Sequence, residues 1–120
     1  MNLLSLTPTI WTSQLNETIK FYSENLKFVC KVKNEEWGWA SVCFGEVEIM
    51  ISVPNKHTDF IKPLFTGTFY FRTDNVDELW YELKDKVKVG YDLEEFEYGM
   101  REFAIFDNNG YMLQFGQEIK

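Results

Sequence analysis

The spacing of apolar and polar positions divides the chain into short elements. Residues 3–11 are rich in Leu, Thr and Ile and predict a strand. Thr12-Ser13-Gln14 reads as a turn with capping residues. Leu15, Ile19, Tyr22 and Leu26 then recur at helical spacing, which predicts a helix over 15–25. Residues 28–32 alternate with Lys31 and Lys33 as a strand does, and Asn34-Glu35-Glu36 is a polar turn. Residues 37–44 predict a second strand, with Trp37 and Trp39 on one face. After the tight turn Gly45-Glu46 a third strand runs over 47–53. There Val47, Ile49, Ile51 and Val53 point one way and Glu48, Met50 and Ser52 the other.

The order then starts again. Residues 54–66, with Pro54, Pro63 and a polar cluster, read as a linker between a first module (1–53) and a second (67–120). Residues 68–73 predict a strand. Asp74-Asn75 caps a helix over 76–86 whose Val76, Leu79, Trp80 and Leu83 share a face. A short strand follows at 87–89, and 91–99 reads as acidic and irregular. A strand at 103–106, the hairpin turn Asp107-Asn108-Asn109-Gly110 and a last strand at 111–117 complete the second half. Strand, helix and three strands, twice, is an internal repeat with a shift of roughly 60 residues, carried by element order more than by letters. Pro8 onward matches Thr68 onward with one residue of slippage. Each half presents one sheet face to its own helix and leaves the other open. Alternation puts Thr68, Tyr70 and Arg72, with Met112, Gln114 and Gly116, on that open face.

At 120 residues the chain is one ordinary domain built from these two modules. Apolar residues at 45% and charged residues at 26% are the proportions of a soluble globular protein, and no apolar run is long enough to span a membrane. Met1-Asn2-Leu3-Leu4 carries neither a basic stretch nor a long apolar one, so no signal peptide and a cytoplasmic location are expected. Twelve basic against nineteen acidic residues give −7, which argues against nucleic acid and against an anionic membrane as partners. A cationic partner is compatible with it. Cys30 and Cys43 form no metal or disulfide pattern and read as small core residues in a reducing compartment. His57, the one histidine, sits in a polar loop, so no His-based metal triad can form within one chain. The unusual quantity is aromatic: 11 Phe, 6 Tyr and 4 Trp exceed what a core of this size needs and hint at binding.

Three segments in order carry a resemblance. They are Thr18-Ile19-Lys20-Phe21-Tyr22 followed by Leu26-Lys27-Phe28; Asp74-Asn75-Val76-Asp77-Glu78-Leu79; and Tyr98-Gly99-Met100-Arg101-Glu102-Phe103 leading into Asp107-Asn108-Asn109-Gly110-Tyr111. Over essentially its whole length the chain resembles the vicinal oxygen chelate superfamily, which includes glyoxalase I, extradiol dioxygenases, fosfomycin-resistance enzymes and bleomycin-resistance proteins. The resemblance implies an α+β fold of two tandem βαβββ modules, with curled mixed sheets around a concave cavity, assembled as a homodimer.

The resemblance also implies four metal-ligand positions, which fall here on Pro8, Met50, Thr68 and Gln114. Proline offers no donor, methionine is soft, and threonine is a poor ligand, so only Gln114 is left; Glu48 shares the face of Met50. No metal and no other cofactor is therefore expected. In this the chain looks most like the metal-free bleomycin-resistance proteins, which use aromatic faces and carboxylates to hold a cationic drug.

The resulting expectation is a metal-independent protein that binds a small aromatic or cationic molecule, an antibiotic such as bleomycin among them. The candidate ligand-binding residues are Trp37, Trp39, Glu48, Met50, Thr68, Tyr70, Arg72, Tyr98, Met100, Glu102 and Gln114. Arg72, mid-strand on the open face, calls for a carboxylate partner, Glu48 or Glu102. Two alternatives stand beside this reading. One is a glyoxalase- or dioxygenase-like enzyme, a lyase or oxidoreductase with an atypical or absent metal site, for which Glu48 and Glu102 are the acid–base candidates. The other is a non-catalytic dimeric interaction module.

Overall fold

The computed structural model describes residues 1–54 and 60–120, so the loop around His57 lies outside the described residues. The chain divides into two compact units, Met1–Lys62 and Pro63–Lys120. Each is an open four-stranded mixed sheet with one helix, and neither sheet closes into a barrel.

In the first unit the elements are β1 (Thr9–Trp11), α1 (Leu15–Leu26), β2 (Val29–Asn34), β3 (Trp39–Phe44) and β4 (Val47–Ser52), in the sheet order β1-β4-β3-β2. β1 runs parallel to β4 and the other pairs are antiparallel. Ile10, Ala40, Val42, Ile49 and Ile51 are buried with Tyr22, Leu26 and Phe28. α1 is amphipathic because Thr18, Tyr22 and Leu26 fall at i, i+4 and i+8. It ends at Lys27 in the left-handed conformation, whose N–H bonds the Tyr22 carbonyl.

The second unit repeats the plan with β5 (Phe69–Arg72), α2 (Val76–Leu83), β6 (Lys88–Glu95), β7 (Met100–Phe106) and β8 (Met112–Glu118), in the order β5-β8-β7-β6. Val76 and Leu83 of α2 are buried together with Phe103, Ile105, Leu113 and Phe115. Trp80 meets Phe103 at 5.1 Å between ring centroids, and Phe71 stacks on Phe115 at 5.0 Å. The expected hairpin turn is closed by Asp107, whose Oδ1 accepts from the N–H groups of Asn109, Gly110 and Tyr111 at 2.8, 2.9 and 3.0 Å.

Several predicted elements move. The first strand keeps only three residues, Thr9–Trp11, and Leu3, Leu4 and Leu6 are more than 90% exposed, because no described residue of the first unit pairs with their backbone. Trp37 belongs to a turn at residues 35–38 and not to β3; its N–H bonds Asn34 Oδ1 at 3.0 Å, so it shares no strand face with Trp39. Of the acidic stretch 91–99 read as irregular, 91–95 belong to β6, which pairs with β7 through two register shifts, at Val89/Tyr91 and Tyr91/Glu94, and 96–99 form the turn that follows. Val89, Tyr91 and Leu93 keep the period-two alternation of a strand, but Gly90 and the acidic residues around them are poor strand formers. Cys30 and Cys43 do lie in strands but are half-buried and free, and so are not core residues.

Candidate functional site

The open face of the second sheet carries a buried carboxylate. Glu102 stands in the middle of β7, directly opposite Gly116 of β8, and is 1% exposed. No basic side chain pairs with it among the described residues; three phenols and an amide do. Oε1 accepts from Tyr70 Oη at 3.1 Å and from Tyr98 Oη at 2.8 Å. Oε2 accepts from Tyr91 Oη and from Gln114 Nε2 at 3.3 Å. Gln114 Nε2 also donates to Tyr91 Oη at 2.7 Å, and Thr68 Oγ1 donates to Gln114 Oε1. Thr68, Gln114 and Tyr91 thus form a chain whose every donor points toward Glu102, so each bond polarises the next. A carboxylate taken from water without a counter-ion needs such donors to offset its desolvation.

Local structure explains how four elements converge here. Tyr70 pairs in register with Gln114 across the parallel β5–β8 ladder. Its hydroxyl crosses the place where a side chain on residue 116 would stand, so Gly116 is the residue that admits it. Tyr91 follows the first β6 bulge, which re-aims its side chain. Tyr98 comes from the turn between β6 and β7, closed by Gly99 N–H on the Phe96 carbonyl at 3.0 Å. Gly99 adopts φ +87°, a conformation L side chains rarely take. Tyr98 is 64% exposed as a residue and its ring stacks on Phe96 at 5.3 Å, while Tyr91 meets Phe96 edge-on at 5.8 Å.

The phenols are held neutral. Desolvation, then the Glu102 hydrogen bond and charge, push Tyr70 up to about 12. Desolvation and Glu102 likewise push Tyr98 up to about 12 and Tyr91 upward. A carboxylate surrounded this way is an acceptor already in use, and not a free base.

Of the predicted site residues, the structure brings Thr68, Tyr70, Tyr98, Glu102 and Gln114 into this one cluster. Met100, half-buried, lies two residues before Glu102 on the same strand, with its methyl toward residue 116. Arg72 is exposed on β5 and makes no ion pair among the described residues: Glu48 belongs to the other unit's sheet, and Glu102 is taken by the phenols. Trp39, Glu48 and Met50 fall in the first unit. There Ser41 Oγ donates to Glu48 Oε2 at 2.5 Å, while Trp39 is half-buried opposite Ser52. Trp37 stands apart, exposed in its turn. Tyr91 is the member that pattern-reading missed; the glycine before it, at a strand interior, was the available signal.

The metal positions implied by the resemblance can be tested on their donors. In β1 the register pairs Thr9 with Met50, so alternation assigns Thr7, and not Pro8, to the face of Met50. Pro8 instead gives its carbonyl to Met50 N–H at 2.9 Å. Threonine, methionine, threonine and glutamine make a set without carboxylate or imidazole. The Gln114 oxygen is already bonded to Thr68. These residues do not fit a hard divalent cation. No group of three His, Cys, Asp or Glu side chains that could hold a metal occurs among the described residues.

The family model described as glyoxalase/bleomycin resistance protein/dioxygenase superfamily matches residues 5–115. The chain belongs to this superfamily. Solved structures agree on the fold. A superfamily member from Sphaerobacter thermophilus is 20% identical, with TM-score 0.83 and 98% of each chain covered. A glyoxalase/bleomycin resistance protein/dioxygenase from Alicyclobacillus acidocaldarius is 15% identical, with TM-score 0.76, 96% of this chain and 91% of that one. A lactoylglutathione lyase from Agrobacterium tumefaciens is 14% identical, with TM-score 0.76, 98% and 95% covered. No curated protein matches the sequence. The superfamily's two-module plan is thus present, and the residues at its metal positions are unlike those a divalent ion needs. No helix among the described residues is long and apolar enough to cross a membrane.

Proposed function

We propose that this superfamily member binds a small aromatic or cationic molecule without a metal, on the open face of its second sheet, and acts as a binding protein for compounds such as bleomycin. The observation that supports it is the Glu102 cluster: a buried carboxylate that has no cationic partner among the described residues, roofed by partly exposed tyrosines. Aromatic faces and uncompensated negative charge together attract cations and stacked rings. The donor set at the metal positions supports metal independence, and the chain's net charge of −7 favours a cationic ligand.

The test is calorimetric titration of the protein with metal-free bleomycin in the presence of a chelator. Saturable binding in the micromolar range or tighter, roughly −8 kcal/mol, weakened by salt and by Tyr98→Ala, is the expected result. A folded protein that gives no heat, or binds only after a divalent metal is restored, refutes the reading.

A further inference from the structure

Glu102 has no acceptor site left. A carboxylate offers about four lone-pair positions, two on each oxygen. Here Oε1 is taken by Tyr70 and Tyr98, and Oε2 by Tyr91 and Gln114. All four partners donate, the pattern of a carboxylate that only accepts, and its hydrogen-bonding capacity is spent. We propose that this cluster is a receptor for a fixed-charge cation, a quaternary ammonium group carried on a small molecule, and that it discriminates against primary ammonium groups. This rests on the binding reading above and names the ligand chemistry of the same site.

The discrimination follows from what each cation needs. A primary ammonium has three N–H donors that are satisfied in water. Over the phenol rings it would lose that hydration and find Glu102 saturated; the acceptors beside it are neutral phenol oxygens, which bind N–H groups about half as strongly as a free carboxylate does, while the Glu94 carboxylate is exposed and already hydrated. A quaternary ammonium has no N–H to satisfy and is weakly hydrated. It takes its attraction from the ring faces and from charge through space, and both are available here. Tyr98, an exposed residue, and Phe96 present a stacked pair, and Tyr91 stands edge-on beside them. Donation of each phenol proton toward Glu102 leaves more electron density on the ring, which strengthens its hold on a cation. Glu94, opposite Glu102 in the β6–β7 register, adds negative charge on the same flank. Arg72 lies on the other side, beyond Gly116 on β5, and sets the polarity of the face.

The experiment compares three probes by calorimetry and by shifts of the tyrosine ring resonances: benzyltrimethylammonium, benzylammonium and neutral benzyl alcohol. The expected order is benzyltrimethylammonium first, by about ten-fold over each of the others. Tyr98→Phe keeps the ring and frees one lone pair on Oε1. It is expected to narrow the gap between the two cations several-fold by improving benzylammonium, while Glu102→Gln removes the preference for a cation over benzyl alcohol. Tyr98 is on an exposed turn, so its variant remains informative if Glu102→Gln does not fold. Equal or tighter binding of benzylammonium to the unaltered protein overturns the proposal and leaves the binding reading intact. If none of the probes binds, the proposal also falls, and the bleomycin titration alone then decides whether the face is a binding site.

Discussion

The two units are built on one lattice and differ in what stands on it. In the first, Thr12 N–H bonds the Ser52 carbonyl at 3.0 Å; in the second, Thr73 N–H bonds the Gly116 carbonyl at 2.9 Å. Those bonds fix the correspondence. Trp39 opposite Ser52 occupies the place of Glu102 opposite Gly116, and Met50 the place of Gln114. On the first sheet the open face holds a half-buried indole, and its carboxylate, Glu48, sits at an exposed position with one hydroxyl donor. On the second, the carboxylate is central, buried and bound four times. A strand lattice therefore decides where a side chain stands, while burial of a charge depends on whether neighbouring elements can deliver enough donors to it.

The largest effect should come from breaking that contrast at its centre. Glu102→Gln places an NH2 group against donors, leaving at least one pair unsatisfied in a buried site. A loss of about 1–3 kcal/mol is expected in urea unfolding. Glu48→Gln, where the remaining amide oxygen still accepts from Ser41, should stay within about 0.5 kcal/mol. Equal costs would mean the two carboxylates are not differently held.

Alkaline titration reads the same asymmetry without mutation. Tyr70 and Tyr98 are pushed up to about 12, and Tyr91 upward, from an ordinary phenol value of 10.0. A folded-state value above the unfolded one means the fold favours the protonated phenol. That contribution is complete below pH 10 and is lost as pH rises from 10 towards 12. Tyrosinate absorbance should therefore show Tyr70, Tyr91 and Tyr98 ionising late, with the unfolding temperature falling over the same interval. Gly116→Ala sharpens the test, because its methyl group takes the space of the Tyr70 hydroxyl. It should release one phenol to titrate near pH 10 at a cost of about 1 kcal/mol, whereas Ser52→Gly in the other unit should leave the titration unchanged.

Much of this was legible in the residues, and the failures share a cause. Period-two alternation placed Thr68, Tyr70 and Gln114 on the open face, because those strands pair without interruption. β6 keeps its alternation at Val89, Tyr91 and Leu93, but Gly90 and the run of acidic residues, poor strand formers both, read as a break, and Tyr91 was lost with it. Leu3, Leu4 and Leu6 look like strand residues by composition, yet a strand needs a partner edge, and composition does not show one. Pro8 comes from the resemblance, by counting back from Phe21-Tyr22, and is one residue off; the backbone bonds of Thr12 and Thr73 set the register directly and put Thr7 in the place of Thr68. Arg72 was given a carboxylate partner on the ground that a mid-strand arginine is buried, and it is not.

The smallest difference between the units lies at the helix entrances. In both, a threonine hydroxyl accepts from the N-cap N–H: Thr12 from Gln14 at 2.9 Å and Thr73 from Asn75 at 3.3 Å. Asn75 adds what Gln14 lacks. Its side chain accepts from Glu78 N–H at 3.2 Å and donates to the Glu78 carboxylate at 2.9 Å, while Gln14 makes no side-chain cap bond. Asparagine is short enough to fold back onto the first turn, and glutamine has one methylene too many. Asn75→Ala should therefore cost about 1 kcal/mol, and Gln14→Ala a few tenths at most, about the level of an ordinary surface change. Hydrogen exchange at the first turns of α1 and α2 would locate each loss. A comparable increase in exchange at both helices would show that α1 depends on its cap as α2 does, and that the two entrances are equivalent after all.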